Sequence, residues 1–316
     1  MRIVYAGTGE IGIPTLRHLL QTHELLGVLS QPDRPAGRRR ELKPPAIKEE
    51  LLRSAPAVPL LQPESPKDAG VLPWIRGLAP EVMVTMAYGR ILPKALLEAP
   101  SLACLNIHAS LLPRHRGASP IQAAIASGDR ESGVSIMHMA EGLDTGDVIL
   151  EKRLPIRRRE TAGSLSARLA VLSPVALEEA LRLLASGKAP RVVQDESLAT
   201  VTGKILRADT MLDWSRPAIE LERRIRSLQP RPGAVAVLPM AAGPAPIPLK
   251  VHSAIVARDA AGRPGTILRV DPRGVLVACG EGALLLGTVQ PEGGARMHSS
   301  AFARGHALRL ADRRAE

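Results

Sequence analysis

Over roughly its first 185 residues the chain alternates strand-like and helix-like segments, and that alternation leaves few folds open. Residues 2–6 form an apolar, β-rich run, and residues 14–21 read as a helix with proline in its first turn. Residues 25–30 make a second strand. Two proline-rich loops then flank a short helix at 47–54, and an extended stretch follows at 58–62. Residues 81–87 and 102–108 read as buried strands, and 121–126 as a helix after Pro120. Residues 133–139 and 147–154 suit a late strand pair, and 164–185 a long helix with a leucine-rich face. Such a pattern predicts an α/β fold: a Rossmann-like, mostly parallel, doubly wound sheet whose ligands gather at the C-terminal ends of its strands.

The pattern changes after a polar stretch at 186–203, which reads as a linker between a domain at 1–185 and another at 204–316. An amphipathic helix at 217–228 aligns Leu221, Ile225 and Leu228. Five short strands follow at 233–238, 247–257, 265–270, 275–278 and 283–290, separated by Gly/Pro turns, as in a smaller OB-like β-barrel. Charge separates the two parts as well. Of the net +11, residues 203–316 hold +7, which points to a polyanionic partner, most economically nucleic acid. Cys104 and Cys279 lie in apolar segments without metal-ligand spacing and read as reduced core residues. Strand one begins almost at Met1, leaving no room for a signal peptide, and no apolar stretch reaches membrane-spanning length. A cytoplasmic location without membrane association is expected.

Three side chains stand out for chemistry. Asn106 and His108 sit two apart at a strand end, hence on one face, and Asp144 lies between Gly142 and Gly146. An amide that holds an oxyanion, an imidazole that moves a proton and a carboxylate that orients it suit acyl transfer between two amines. Gly7-Thr8-Gly9-Glu10-Ile11-Gly12 matches the dinucleotide fingerprint, yet strand two ends in Ser30-Gln31-Pro32 rather than an acidic residue. A tight strand-to-helix turn is the expectation, with no NAD. The loop at 31–45, stiffened by prolines, carries Arg34, Arg38, Arg39, Arg40 and Lys43, a pre-shaped basic finger for phosphates.

Taken together these residues resemble the methionyl-tRNA formyltransferases, and the likeness covers nearly the whole chain. Asn106-Ile107-His108-Ala109-Ser110-Leu111-Leu112-Pro113 and Gly142-Leu143-Asp144-Thr145-Gly146 are similar to the two signatures of enzymes that use 10-formyltetrahydrofolate. Residues 31–38 resemble a tRNA-contacting loop, Ala87-Tyr88-Gly89-Arg90 a folate-side strand end, and the C-terminal third an OB-like tRNA-binding domain. Three departures are visible: Gly9 stands where proline is usual, Ala109 where glycine is, and Arg231 where an aromatic is common. The resemblance implies a metal-free enzyme that moves a formyl group from 10-formyltetrahydrofolate to the α-amine of methionyl-initiator tRNA, acting as a monomer. It implies Asn106, His108 and Asp144 as catalytic residues, and Tyr88, Gly89, Ser110, Leu111, Leu112 and Pro113 as folate-binding. It further implies Arg34, Arg38, Arg39, Arg40, Lys43 and Lys204 as tRNA-binding.

Overall fold

The computed structural model describes residues 1–37, 40–239, 247–306, 308 and 310, so Arg38 and Arg39 lie outside the described residues. Two compact units emerge. The first comprises residues 1–120, 131–155 and 166–203, and the second residues 121–130, 156–165 and 204–316.

Seven strands of the first unit form one sheet: β1 (Arg2–Gly7), β2 (Glu24–Leu29), β5 (Leu60–Leu61), β6 (Val82–Met86), β7 (Ala103–His108), β9 (Glu131–His138) and β10 (Val148–Pro155). Their order across it is β10-β9-β7-β6-β1-β2-β5. A small hairpin, β3 (Arg34–Ala36) with β4 (Glu41–Lys43), stands apart from it, as does the short parallel pair β8 (Arg116–Gly117) and β11 (Val201–Thr202). Strands β5, β2, β1, β6 and β7 are parallel, while β9 runs antiparallel to its neighbours β7 and β10. The order turns at β1, which sends the chain first toward β2 and later toward β6. That reversal leaves a crevice beyond the strands' carboxyl ends.

Burial explains why the central strands read as unbroken apolar runs. Ile3, Val4, Tyr5 and Ala6 are all fully buried, as expected where helices cover both faces of a parallel sheet. Helix α1 (Ile13–Thr22) starts with Pro14 and buries Leu16 and Leu19 at helical spacing. Helix α2 (Ala46–Ser54) buries Ile47 and Leu51. Helices α3 (Val71–Leu78) and α4 (Lys94–Leu97) escape a period-based reading because each is about two turns or fewer, yet Val71, Ile75 and Leu96 join the core with Val4, Met83 and Cys104. Gly12 is forced by close approach: the Tyr5 hydroxyl donates to its carbonyl, and an added Cβ would overlap that hydroxyl oxygen. Gly7 and Gly12 thus serve a tight strand-to-helix turn packed on Tyr5.

Helix α5 (Pro120–Ser127) and the long α6 (Ala162–Ala185) follow the expected spans within two residues. The second unit adds α7 (Ala218–Ser227) and a terminal α8 (Ser299–Gly305). Its remaining strands include β12 (Ala234–Leu238), β15 (Ile267–Asp271), β16 (Gly274–Ala278) and β19 (Met297–His298). Two segments expected as single strands each divide. One gives β13 (Ile247–Val251) and β14 (Ala254–Ala257); the other gives β17 (Ala283–Leu286) and β18 (Thr288–Pro291). Two four-stranded antiparallel sheets result, β12-β13-β18-β19 and β14-β17-β16-β15. The physical cause of the division is a shared corner. There Gly287 N–H donates to the Ser253 carbonyl and His252 N–H to the Thr288 carbonyl, so both chains pass from one sheet to the other. One apolar core, including Leu221, Ile225, Leu249, Val277, Leu286 and Phe302, fills the interior.

Both cysteines are free and buried, and burial pushes the Cys104 thiol up to about 12 and that of Cys279 to about 11. Among the described residues no helix is long and apolar enough to cross a membrane.

Candidate active site

Strand β7 delivers Asn106 and His108 to the carboxyl edge of the sheet, beside Thr85 at the end of β6. Thr85 Oγ1 donates to Asn106 Oδ1 at 2.7 Å. Nδ2 donates to Asp144 Oδ1 at 3.2 Å, and because a carboxylate oxygen only accepts whereas a hydroxyl can do either, Asp144 fixes which end of the amide is the donor. The other oxygen, Oδ2, accepts the Gly117 backbone N–H at 2.8 Å and lies 3.5 Å from His108 Nδ1. Asp144 therefore bridges the other two residues. His108 is 5% exposed, and its Nε2 lies 2.9 Å from the His115 carbonyl oxygen. A carbonyl only accepts, so Nε2 carries a proton and Nδ1 is the nitrogen turned to the carboxylate.

The loop that carries Asp144 is held by its backbone. Asp144 has φ of 53°, the left-handed region that a non-glycine residue enters at a cost of about 1 kcal/mol. Gly146 packs against β9 so closely that any Cβ would overlap the His138 carbonyl oxygen. Gln194 then spans the loop: its Nε2 donates to the Asp144 carbonyl at 2.8 Å and the Gly146 carbonyl at 2.7 Å. Its Oε1 accepts from Arg116 Nε at 2.9 Å. Arg116, 4% exposed, closes a fork-to-fork pair with Glu196 at 2.9 and 2.8 Å, which holds the Glu196 carboxyl below the usual carboxylate range. None of Thr85, Arg116 or Gln194 stood out in the sequence. Their roles depend on partners that lie 21, 78 and 50 positions away.

Residues 191–202, expected as linker, run along the first unit as a strap. Val192 and Val148 exchange backbone bonds of 2.9 and 3.0 Å, and β11 pairs with β8. Thr200 Oγ1 accepts the His115 N–H at 2.8 Å.

The Ser110–Pro113 turn follows His108 directly. Ser110 is fully buried and spends its hydroxyl on the Arg114 carbonyl at 2.6 Å, while the Ser135 hydroxyl donates to the Ser110 carbonyl at 2.8 Å. Leu112 packs with Met137 and Val148, and Leu111 lies over Gly133. At the end of β6 the backbone kinks through Ala87 and Gly89, both at positive φ. The Tyr88 carbonyl accepts from Thr8 Oγ1 and Gln31 Nε2, whereas the buried Tyr88 hydroxyl has no hydrogen-bond partner among the described residues. Burial pushes that phenol up to about 12.

The basic finger is a β-hairpin rather than an irregular loop, with Arg34 opposite Lys43. Arg34 pairs with Glu64 at 2.6 Å, Arg40 has φ of 52°, and Lys43 and Lys204 are exposed. Asp33 anchors the hairpin base through Lys48 at 2.8 Å and Gln62 at 2.8 Å. Among the described residues, one cluster has the donor types and spacing for an ion: His18, His23 and Glu178. Both imidazoles share one carboxylate oxygen at 3.0 and 3.1 Å, an arrangement complete as hydrogen bonds.

Comparison with known proteins adds the chemistry's class. Residues 1–181 match the formyl transferase family model, and residues 204–307 match its C-terminal domain. Methionyl-tRNA formyltransferase from Pseudomonas paraeruginosa is 47% identical over 295 residues, spanning 93% of this chain and 92% of its own. The protein of that name from Akkermansia muciniphila is 42% identical over 316 residues, covering 97% of each. Among solved structures, HypX from Aquifex aeolicus in complex with tetrahydrofolic acid superposes with TM-score 0.62 at 18% identity, over 98% of this chain and 49% of that one. WlaRD, a sugar 3N-formyl transferase, gives TM-score 0.64 at 15% identity over 92% of this chain and 97% of its own. Identities so low speak to the fold alone.

Proposed function

The chain belongs to the formyl transferase family, and on that footing we propose that it transfers the formyl group of 10-formyltetrahydrofolate to the α-amine of methionyl-initiator tRNA, through Asn106, His108 and Asp144. The observation that carries the reading is the single carboxylate of Asp144 set against both Asn106 and His108, in a chain alike to methionyl-tRNA formyltransferases over nearly its full length.

The residues present suit the folate donor. Asn106 Nδ2 has two N–H groups, and Asp144 takes one, so the second is available to an oxygen at the formyl carbon. The neutral α-amine attacks that carbon, the C=O pair moves to oxygen, and Asn106 meets the resulting oxyanion with its free N–H. Asp144 accepts the proton that the nitrogen must lose, directly or through one water, and His108 stabilises it from Nδ1. Collapse breaks the bond from carbon to N10, which leaves with one proton from the same relay. The products are formyl-methionyl-tRNA and tetrahydrofolate. The Ser110–Pro113 turn and the kink at Ala87–Gly89 form the folate side, where the unpartnered Tyr88 hydroxyl offers a polar group.

For the tRNA, the basic segment 31–45, whose sequence carries Arg34, Arg38, Arg39, Arg40 and Lys43, meets the acceptor stem. Lys204 opens a C-terminal portion, 204–316, that neutralises backbone phosphates. Residues 1–185 carry the chemistry and the 186–203 segment completes them. The three side chains meet within one chain, so the proposed reaction needs no residue from a second subunit; a monomer acting in the cytoplasm, where aminoacyl-tRNA is made, is part of this proposal. Every proposed step moves only protons and electron pairs between named atoms, so the reaction asks for neither nicotinamide nor a metal. The deciding experiment follows labelled formyl from 10-formyltetrahydrofolate to initiator methionyl-tRNA, elongator methionyl-tRNA, free methionine and an amino-sugar nucleotide. Preferential labelling of the initiator is expected; equal labelling of free methionine or the amino sugar would remove the tRNA reading.

A further inference from the structure

Asp144 does not reach Asn106 and His108 by sequence or by secondary structure. Its backbone stands in the left-handed region on an irregular loop, at φ of 53°, and such a residue persists only where its surroundings over-determine it. One side chain does most of this. Gln194, 8% exposed, uses both amide hydrogens on the two carbonyls that bracket the loop, those of Asp144 and Gly146. Its remaining oxygen is fixed by Arg116, which is in turn forked onto Glu196. Arg116 precedes Gly117, whose N–H donates to the Asp144 carboxylate. The carbonyl end and the carboxylate end of Asp144 are therefore tied to the same rigid strut.

We propose that Gln194 is a positioning residue for Asp144: it holds the Asp144 carboxylate in register with Asn106 and His108, and Arg116 and Glu196 hold Gln194. This rests on the reading of Asp144 as catalytic. The requirement is strict because a displacement of about 1 Å at a reacting group costs on the order of a hundredfold in rate. An amide is the one uncharged side chain of this length that donates twice and accepts once. Glutamate at 194 would keep the Arg116 pair but turn an acceptor toward two carbonyls, and leucine would leave all of those polar partners unsatisfied.

The test compares kcat, both KM values and the pH profile of kcat for Asp144→Asn, Gln194→Glu, Gln194→Leu, Glu196→Gln and the double variant Asp144→Asn/Gln194→Leu, each normalised to folded protein by thermal melting. Gln194→Glu and Gln194→Leu are expected to lose about 10–100-fold in kcat, with KM for tRNA and folate within about threefold and the pH profile displaced in the direction seen for Asp144→Asn. The double variant is expected to be no slower than Asp144→Asn alone, since a misplaced group that has already been removed costs nothing further. Glu196 is exposed at the outer end of the strut, so Glu196→Gln folds even where Gln194→Leu does not, and a few-fold loss in kcat is expected from it. Losses that multiply in the double variant, or Gln194 variants that melt earlier but keep wild-type kcat and pH profile, would overturn the proposal. If Asp144→Asn is slow and the Gln194 variants are not, only the positioning role fails. If Asp144→Asn retains wild-type kcat, the catalytic reading of Asp144 fails first.

Discussion

Asp144 decides which way round the Asn106 amide stands, because a carboxylate oxygen only accepts and so takes Nδ2 at 3.2 Å, which leaves Oδ1 to accept the Thr85 hydroxyl at 2.7 Å. An asparagine amide without such neighbours turns over at little cost, and half of its orientations would offer an oxyanion a carbonyl. Thr85→Val keeps the shape and removes the donor. We expect kcat to fall about tenfold, in line with one lost charge-orienting hydrogen bond, with the melting temperature nearly unchanged. Thr85→Ser should restore most of the rate, and steady-state kinetics on the three proteins checks this.

Asn106 and Asp144 should behave differently from residues that only bind substrate. Asn106→Ala is expected to lower turnover by about 10²–10³, the usual cost of one oxyanion donor, while KM for both substrates stays within a few-fold. Asp144→Asn should cause a comparable loss. A rate within a few-fold of wild type for either would remove it from the reacting set.

Tyr88 gives a sign that separates folding from ligand binding. Its hydroxyl is buried and has no partner among the described residues, so Tyr88→Phe should melt no lower than wild type. The same change should raise KM for 10-formyltetrahydrofolate several-fold if the hydroxyl meets the folate, leaving KM for tRNA alone. Paired melting and kinetic measurements on one variant read both effects.

Backbone neutralisation predicts a steep salt dependence. Substituting Arg34, Arg40, Lys43 or Lys204 with alanine should weaken tRNA binding and reduce the slope of log K against log salt by about one for each phosphate no longer neutralised. Folate KM should not move. Titrations at several ionic strengths measure the slope directly.

Glu50 sets an acid limit on the first unit. It is buried in the middle of α2, and hydrogen bonds from Arg17, then Arg53 and Ser54, bring its carboxyl down from the ordinary 4.5 to about 2. A carboxyl whose folded value is depressed stabilises the fold in full above its unfolded value, and that stability drains away as pH falls from about 4.5 toward 2. Glu50→Gln should cost on the order of 2 kcal/mol at neutral pH and flatten the dependence of melting temperature on pH below about 5. The comparison is a pair of thermal melts across that window.

How much could be read from the residues divides by the range of the interaction. Strands β1, β6 and β7 were legible because burial on both faces makes them continuous apolar runs, and α6 because several turns repeat one leucine face. Helix α3 was not, since eight residues with Pro73 and Gly77 among them give a period no room to show. In the second unit, residues 247–257 and 283–290 looked like single strands because apolar content does not fall where a strand leaves one sheet for another. The site followed the same rule. Asn106 and His108 announced themselves through two-residue spacing, and Asp144 through its flanking glycines. Gln194 lies in a polar stretch with no pattern, and only the folded loop shows what its two N–H groups meet.

The strap has a consequence for the order in which the chain is made. His115 and Gly117 are partnered by residues that leave the ribosome some 85 positions later, when Thr200 and Thr202 finally arrive. Until then the guanidinium of Arg116 lacks Gln194 and Glu196, and the loop at Asp144 lacks the amide that braces its left-handed turn. A nascent chain halted at residue 185 would carry Asn106, His108 and Asp144, the three side chains proposed to react, and still lack the clamp that seats Asp144. Competence in this enzyme is thus acquired late in its synthesis, with the last strand of the first unit.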